Sequence, residues 1–182
     1  MLPHYSPFKV AETFRMLSAL APGRIDLGLG RAPGSDQVTS RALRRTLATD
    51  PQEFPHDVLE LMGYFEGTQP VLAVPARGRS VPIWILGSSL FGAQVAAEFG
   101  LPFAFAAHFA PAQLIPAIRL YRDGFRPSRH LERPYVMVGL HVIVGDTDAK
   151  AQLLATSVEQ SFVASRSGRP IQLPPPVDGY RQ

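Results

Sequence analysis

Cysteine is absent from all 182 residues, so the chain can hold neither disulfide bonds nor thiolate metal sites. No apolar run approaches the length of a membrane span, and the opening residues MLPHYSPFKV lack the basic start and long apolar core of a secretory signal. The expected compartment is therefore the cytoplasm. The five histidines, His4, His56, His108, His130 and His141, fall into no HExxH or other paired spacing, which leaves no ligand set for a metal. A large excess of either charge is also lacking. The formal net charge is +3, and the basic residues gather only at Arg41, Arg44 and Arg45 and again at Arg126, Arg129 and Arg133. No aromatic interleaving or nucleic-acid-reading motif accompanies either group, so a helix surface and a loop explain them better. Neither nucleic acid nor membrane is expected as a partner. There is no internal repeat and no visible domain boundary.

With 46% hydrophobic and 18% charged residues, what remains is enough for one ordinary globular core. The chain is organised around residues 81–109, VPIWILGSSLFGAQVAAEFGLPFAFAAHF, which read as a single βαβ unit. Residues 82–86 are apolar without alternation, as in a strand buried on both faces. Gly87-Ser88-Ser89 ends that strand, and Phe91, Val95, Ala96 and Phe99 then recur at helical spacing up to a stop at Gly100. Pro102 opens a second apolar strand at residues 103–107. The helix thus begins on Gly-Ser-Ser, where backbone N–H groups, two hydroxyls and the positive end of the helix dipole converge on a site suited to an anion, most simply a phosphate. The plain alternative is that serine merely caps the helix.

Elsewhere, residues 10–20 are expected to form a helix with Val10, Phe14, Leu17 and Leu20 on its buried face. Residues 24–31, RIDLGLGR, read as a strand whose end carries Gly28, Gly30 and Arg31, followed by a loop at 32–36. Close backbone approach and a fixed guanidinium are available there, although the glycines could equally relieve crowding and Arg31 pair with an acid. Helices are expected at 40–48, 57–65, 111–125 and 148–166, the third kinked or started late by Pro116 and the last capped by Thr147, with Ala151, Leu154, Val158 and Phe162 buried. Residues 71–74 read as a short strand and 135–144, YVMVGLHVIV, as the strongest strand in the chain. The proline-rich tail, 168–182, should lack regular structure. Strands alternating with helices mean a parallel sheet covered by helices, either doubly wound or part of a (β/α)8 barrel, and four clear strands cannot close eight.

Three blocks carry a resemblance: ALAPGRIDLGLGRAPGSD at 19–36, VPIWILGSSLFGAQVAAEFGLPFAFAAHFAP at 81–111 and PYVMVGLHVIVGDTDAKA at 134–151. In this order they closely resemble the luciferase-like monooxygenases, flavin-dependent enzymes related to the bacterial luciferase subunits, over residues 1 to about 180. The resemblance implies an α/β fold of parallel β/α units, an incomplete TIM-type barrel whose strands correspond to the third through seventh of the family. It implies that reduced FMN, supplied through NAD(P)H or a partner flavin reductase, is used with O2 to oxygenate a small organic substrate in a mouth that excludes water. Self-association into a homo-oligomer is also expected. The family's active-site histidine and acidic residues correspond to no position here, so no catalytic residue is assigned.

By the same resemblance, Arg31 after the fourth barrel strand and Ser88-Ser89 after the fifth would grip the FMN phosphate, with Gly92 offering the next N–H. Luciferase has an acidic residue where Ser88 stands. His108 could meet flavin or substrate from the end of its strand, the plainer reading being a strand-end cap. His141 reads as a core or barrel-interior residue, and His4 lies near the flavin by analogy. Leu27, Leu29, one of Ile83 and Trp84, one of Phe103 and Phe105, and one of Val138 and Val142 are expected to point into the barrel, on a face left open here. The alternative to an enzyme is a remnant that binds flavin or phosphate without turnover, or an inactive fragment.

Overall fold

The structure, a computed structural model, describes residues 2–31, 42 and 53–180. The chain divides into two compact units, residues 1–140 and 141–182. The helix expected at 40–48, the loop at 32–36 and the basic group at 41–45 lie almost wholly outside the described residues.

In the first unit, β1 (Leu27–Gly30), β2 (Ile83–Gly87), β3 (Phe103–Ala106) and β4 (Val136–Gly139) form one sheet in the order β1-β2-β3-β4. Every pairing is parallel. Strand order that follows chain order without reversal belongs to a barrel wall; a doubly wound sheet would turn back at a switch point. The helices described in this unit are α1 (Pro7–Leu20), α2 (Glu53–Glu66), α3 (Leu90–Glu98) and α4 (Leu114–Gly124), with 3-10 turns at Leu2–His4 and Pro111–Gln113. Pro116 does mark a late start, because the α-helix opens at Leu114 and leaves the proline in its first turn, where its missing N–H costs nothing. Gly100 ends α3 as expected, with φ +61 and Leu101 N–H donating to Ala96 O at 2.9 Å.

The two faces of the sheet differ from the expected assignment. Leu27 and Leu29 point outward, into one apolar core with Ile83, Ile85, Phe103 and Phe105 beneath the helices. The inward face carries Gly28, Trp84, Leu86, Ala104, Ala106, Met137 and Gly139. Large side chains go where helices can cover them, each worth about 1.5–3 kcal/mol on burial. The other side mixes glycine and alanine with Trp84, Leu86 and Met137, which stay half-buried or exposed. Under β3 the rings of Phe103, Phe105, Tyr121 and Phe125 pack at centroid separations of 5.5–6.0 Å. The buried Tyr121 hydroxyl donates to Leu101 O at 2.9 Å and accepts from Tyr135 N at 3.1 Å, joining the starts of β3 and β4.

Helix α1 is rolled relative to its expected orientation. It starts at Pro7 and buries Ala11, Arg15 and Ser18, whereas Leu17 and Leu20 are exposed. The guanidinium of Arg15 decides the roll: it donates to Tyr64 O at 3.0 Å, Phe65 O at 2.9 Å and Ala73 O, carbonyls at the end of α2 and in the connector beyond. Burial, and then the charge of Arg77, push its pKa down. Val10 and Phe14 do pack, half-buried, against the core, and they line a cleft of about 530 Å³ beside β1 with Leu27 and Leu29. The short strand expected at 71–74 does not form, since Ala73 is buried against Arg15 while Val71 and Val74 are exposed.

The expected strand at 135–144 is cut to Val136–Gly139, because β3 runs out of ladder at Ala106. In the second unit, α5 (Asp148–Arg166) is capped by Thr147, whose hydroxyl accepts from Lys150 N at 3.2 Å, as the sequence predicts. Its buried residues are Thr156 and Ser157, not the apolar stripe expected, and Phe162 is exposed. Thr156 accounts for this: its hydroxyl accepts from Val177 N at 2.9 Å and donates to Leu153 O at 2.7 Å, tying the irregular tail along the helix.

Candidate functional site

A parallel sheet puts all its strand ends on one rim, and the turn after β2 is the best-built part of that rim. Ser89, at φ −144 and ψ 169, keeps the chain extended until α3 begins, and its hydroxyl makes no cap hydrogen bond. Ser89 thus holds the N-cap position by its backbone, but the first-turn N–H groups of Leu90, Phe91 and Gly92 receive no acceptor from its side chain. No acidic residue stands in the turn. Gly87 and Gly92 bring strand end and helix start together, since a Cβ on Gly92 would lie 3.5 Å from the Gly87 Cα. The positive end of α3 is thereby fixed over the end of β2.

Arg31 reaches the same corner from the neighbouring strand. Gly30 pairs with Leu86, so the next residue on each strand stands beside the Gly-Ser-Ser turn. The Arg31 guanidinium carbon lies 4.2 Å from the centroid of the Phe91 ring, in the first turn of α3. Arg31 is exposed, Ser88, Ser89 and Phe91 are half-buried and Gly92 is buried. All four residues expected at a phosphate thus stand at one end of the sheet, beside two adjacent strands. A fork of guanidinium donors next to a helix N-terminus can bind a dianion chemically.

The histidines divide differently. His108 follows β3 with its Nδ1 3.3 Å from Gly139 O, its backbone N–H donating to the same carbonyl at 3.2 Å, and its ring 4.4 Å from that of Phe109. It closes the ends of β3 and β4, the plainer of the two readings. His141, expected in a strand interior, lies beyond β4 in the second unit and is exposed, a correction that follows from the shortened strand. His4 sits half-buried in the turn before α1. Of the second basic group, Arg129 pairs with Glu66, with His130 at 3.6 Å from the same carboxylate, and Arg126 lies 4.0 Å from Glu98. Among the described residues no cluster of three metal-ligating side chains occurs and no helix is long and apolar enough to cross a membrane. The contact that sequence reasoning missed is Phe91 under Arg31. Sixty positions separate them, and helical spacing marked Phe91 only as core.

Comparison with known proteins places the chain in a family. The family model described as luciferase-like monooxygenase matches residues 1–173. A luciferase-like monooxygenase of Escherichia coli strain K12 is 52% identical over 185 aligned positions, covering 100% of this chain and 55% of the relative. The chain thus spans about half the length of the curated relatives it matches. Among solved structures, apo-MsnO8 superposes with a TM-score of 0.88 at 32% identity, covering 97% of this chain and 54% of that one. The FMN complex of a type II Baeyer-Villiger monooxygenase, the oxygenating constituent of 3,6-diketocamphane monooxygenase from the CAM plasmid of Pseudomonas putida, shares the fold with a TM-score of 0.60 at 18% identity, over 92% and 56%. The four-stranded parallel sheet is part of the barrel wall of such enzymes, and the chain belongs to the luciferase-like monooxygenase family.

Proposed function

We propose that this chain contributes the phosphate-holding wall of an FMN-dependent monooxygenase acting on a small organic substrate with O2. The observation that carries the reading is the corner where Arg31 meets the serine-uncapped first turn of α3. A flavin bearing a terminal phosphate fits it. The dianion would take the Arg31 fork and the N–H groups of Leu90, Phe91 and Gly92, with the Ser88 and Ser89 hydroxyls as further donors. When bound, the reduced flavin supplies O2 activation and oxygen transfer. The work of the chain's own residues is to anchor and orient. The Arg31 charge and the helix dipole hold the phosphate end, and Trp84, Leu86 and Met137 give the inward face an apolar surface for the rest of the flavin. Reducing equivalents would come from NAD(P)H directly or through a flavin reductase.

A second reading, flavin binding without turnover, has one observation in its favour: His108, the histidine that follows β3, is engaged with Gly139 O. Two measurements on purified residues 1–182 separate the readings. Fluorescence titration should show FMN binding that Arg31→Ala weakens roughly ten- to a hundredfold, the worth of a charge-assisted hydrogen-bond pair. Formation of an oxygenated product from candidate aldehydes or ketones in the presence of reduced flavin and O2 then distinguishes an enzyme from a binding module. Equal affinity of wild type and Arg31→Ala for FMN sinks the phosphate assignment.

A further inference from the structure

We propose that Phe91 is the positioning residue of this corner: its ring holds the Arg31 guanidinium in place before the phosphate arrives. The inference rests on the phosphate reading above and adds the device that makes Arg31 effective. Arg31 is the first residue past β1 and is exposed, where an arginine would ordinarily sample many rotamers and lose that freedom on gripping an anion. Its guanidinium carbon instead stands 4.2 Å from the Phe91 ring centroid, inside the range in which a cation is drawn to an aromatic face. The ring itself is anchored, half-buried and packed against the core in the first turn of α3. No carboxylate among the described residues competes for Arg31. The ring neutralises nothing, so the full positive charge stays available, and a planar guanidinium lying on a ring keeps its edge N–H groups free for a second partner. An acid in place of Phe91 would fix Arg31 equally well but spend its charge.

The geometry also selects arginine over lysine. An ammonium has no plane to stack and would satisfy the charge without the fixed direction. The positioning role of Phe91 therefore acts through Arg31, and only on a ligand that carries a phosphate.

The test is a titration of the 182-residue chain with FMN and with riboflavin, which lacks the phosphate, followed by flavin fluorescence. Phe91→Leu should weaken FMN about two- to fivefold, as expected for an exposed cation–π contact, and leave riboflavin unchanged. Phe91→Tyr, which keeps the ring, should restore wild-type FMN affinity, and Phe91→Met serves as a second ringless variant should Leu disturb the fold. In an Arg31→Ala background, where no cation is left for the ring to hold, Phe91→Leu should have no effect. Equal losses for FMN and riboflavin, or a Phe91→Leu effect that persists in Arg31→Ala, overturn the positioning role. A wild-type chain with no preference for FMN over riboflavin overturns the phosphate reading and this inference together. A preference abolished by Arg31→Ala but untouched by Phe91→Leu overturns the inference alone.

Discussion

Tyr121 shows at the scale of one residue how the fold is tied below the site. Its hydroxyl bonds both Leu101 and Tyr135, so the starts of β3 and β4 are held by one buried group. Tyr121→Phe leaves a carbonyl and an N–H without that partner and should cost about 1–3 kcal/mol in a denaturant titration. Burial raises the phenol pKa above its ordinary 10.0, against a smaller lowering by the backbone bond with Tyr135. Because the folded pKa lies above the unfolded one, the stabilisation is complete below about pH 10 and is lost as pH climbs through the folded value. Wild type should therefore lose stability above about pH 10, and Tyr121→Phe should show a shallower loss; parallel curves for the two would refute the assignment. Nothing in the sequence marks this tyrosine, since position 121 at helical spacing announces burial and not the strand ends its hydroxyl reaches.

Among elements, α1 and β4 show why apolar pattern was an incomplete guide. Val10, Phe14, Leu17 and Leu20 make a regular stripe, yet the helix fully buries Ala11, Arg15 and Ser18, because two carbonyls at the end of α2 and one in the connector beyond it need donors. A charge-assisted clasp outweighs a stripe that can still border the cleft beside β1. Arg15→Met should destabilise the chain by about 2–4 kcal/mol, and Arg15→Lys should recover little, since one ammonium lacks the fork that reaches separated carbonyls. Thermal melts of the two variants check this, and a neutral Arg15→Met would refute it. For β4 the apolar run to Val144 is real, but a strand extends only as far as its neighbour offers a ladder, and β3 ends at Ala106. Features set by local backbone chemistry were legible: the Gly100 stop, the Thr147 cap and the Gly-Ser-Ser turn are where the residues place them. Those set by distant partners were not.

For the whole molecule, the consequence of a partial barrel wall is an uncovered side. Leu86, Met137 and Tyr135 are 43%, 53% and 57% exposed, and among the described residues β1 and β4 each have one neighbour only. Open strand edges beside an apolar face invite pairing with other chains. The 182-residue polypeptide should therefore elute from a sizing column as concentration-dependent oligomers. A monodisperse monomer with a cooperative melt at all concentrations would contradict this. The barrel itself was legible only through the family resemblance, because the residues alone left a doubly wound sheet open until strand order excluded it.

That uncovered side also carries the protein's single tryptophan, Trp84, half-buried on β2 with its ring 5.4 Å from that of Tyr135. Intrinsic emission from this molecule is therefore a report from one place. Whatever covers the inward face, be it another chain or a bound flavin, must shift the indole to shorter wavelength or quench it, and must shield it from acrylamide. Events confined to the outer helices should leave the signal unmoved, giving an optical readout of closure that needs no label.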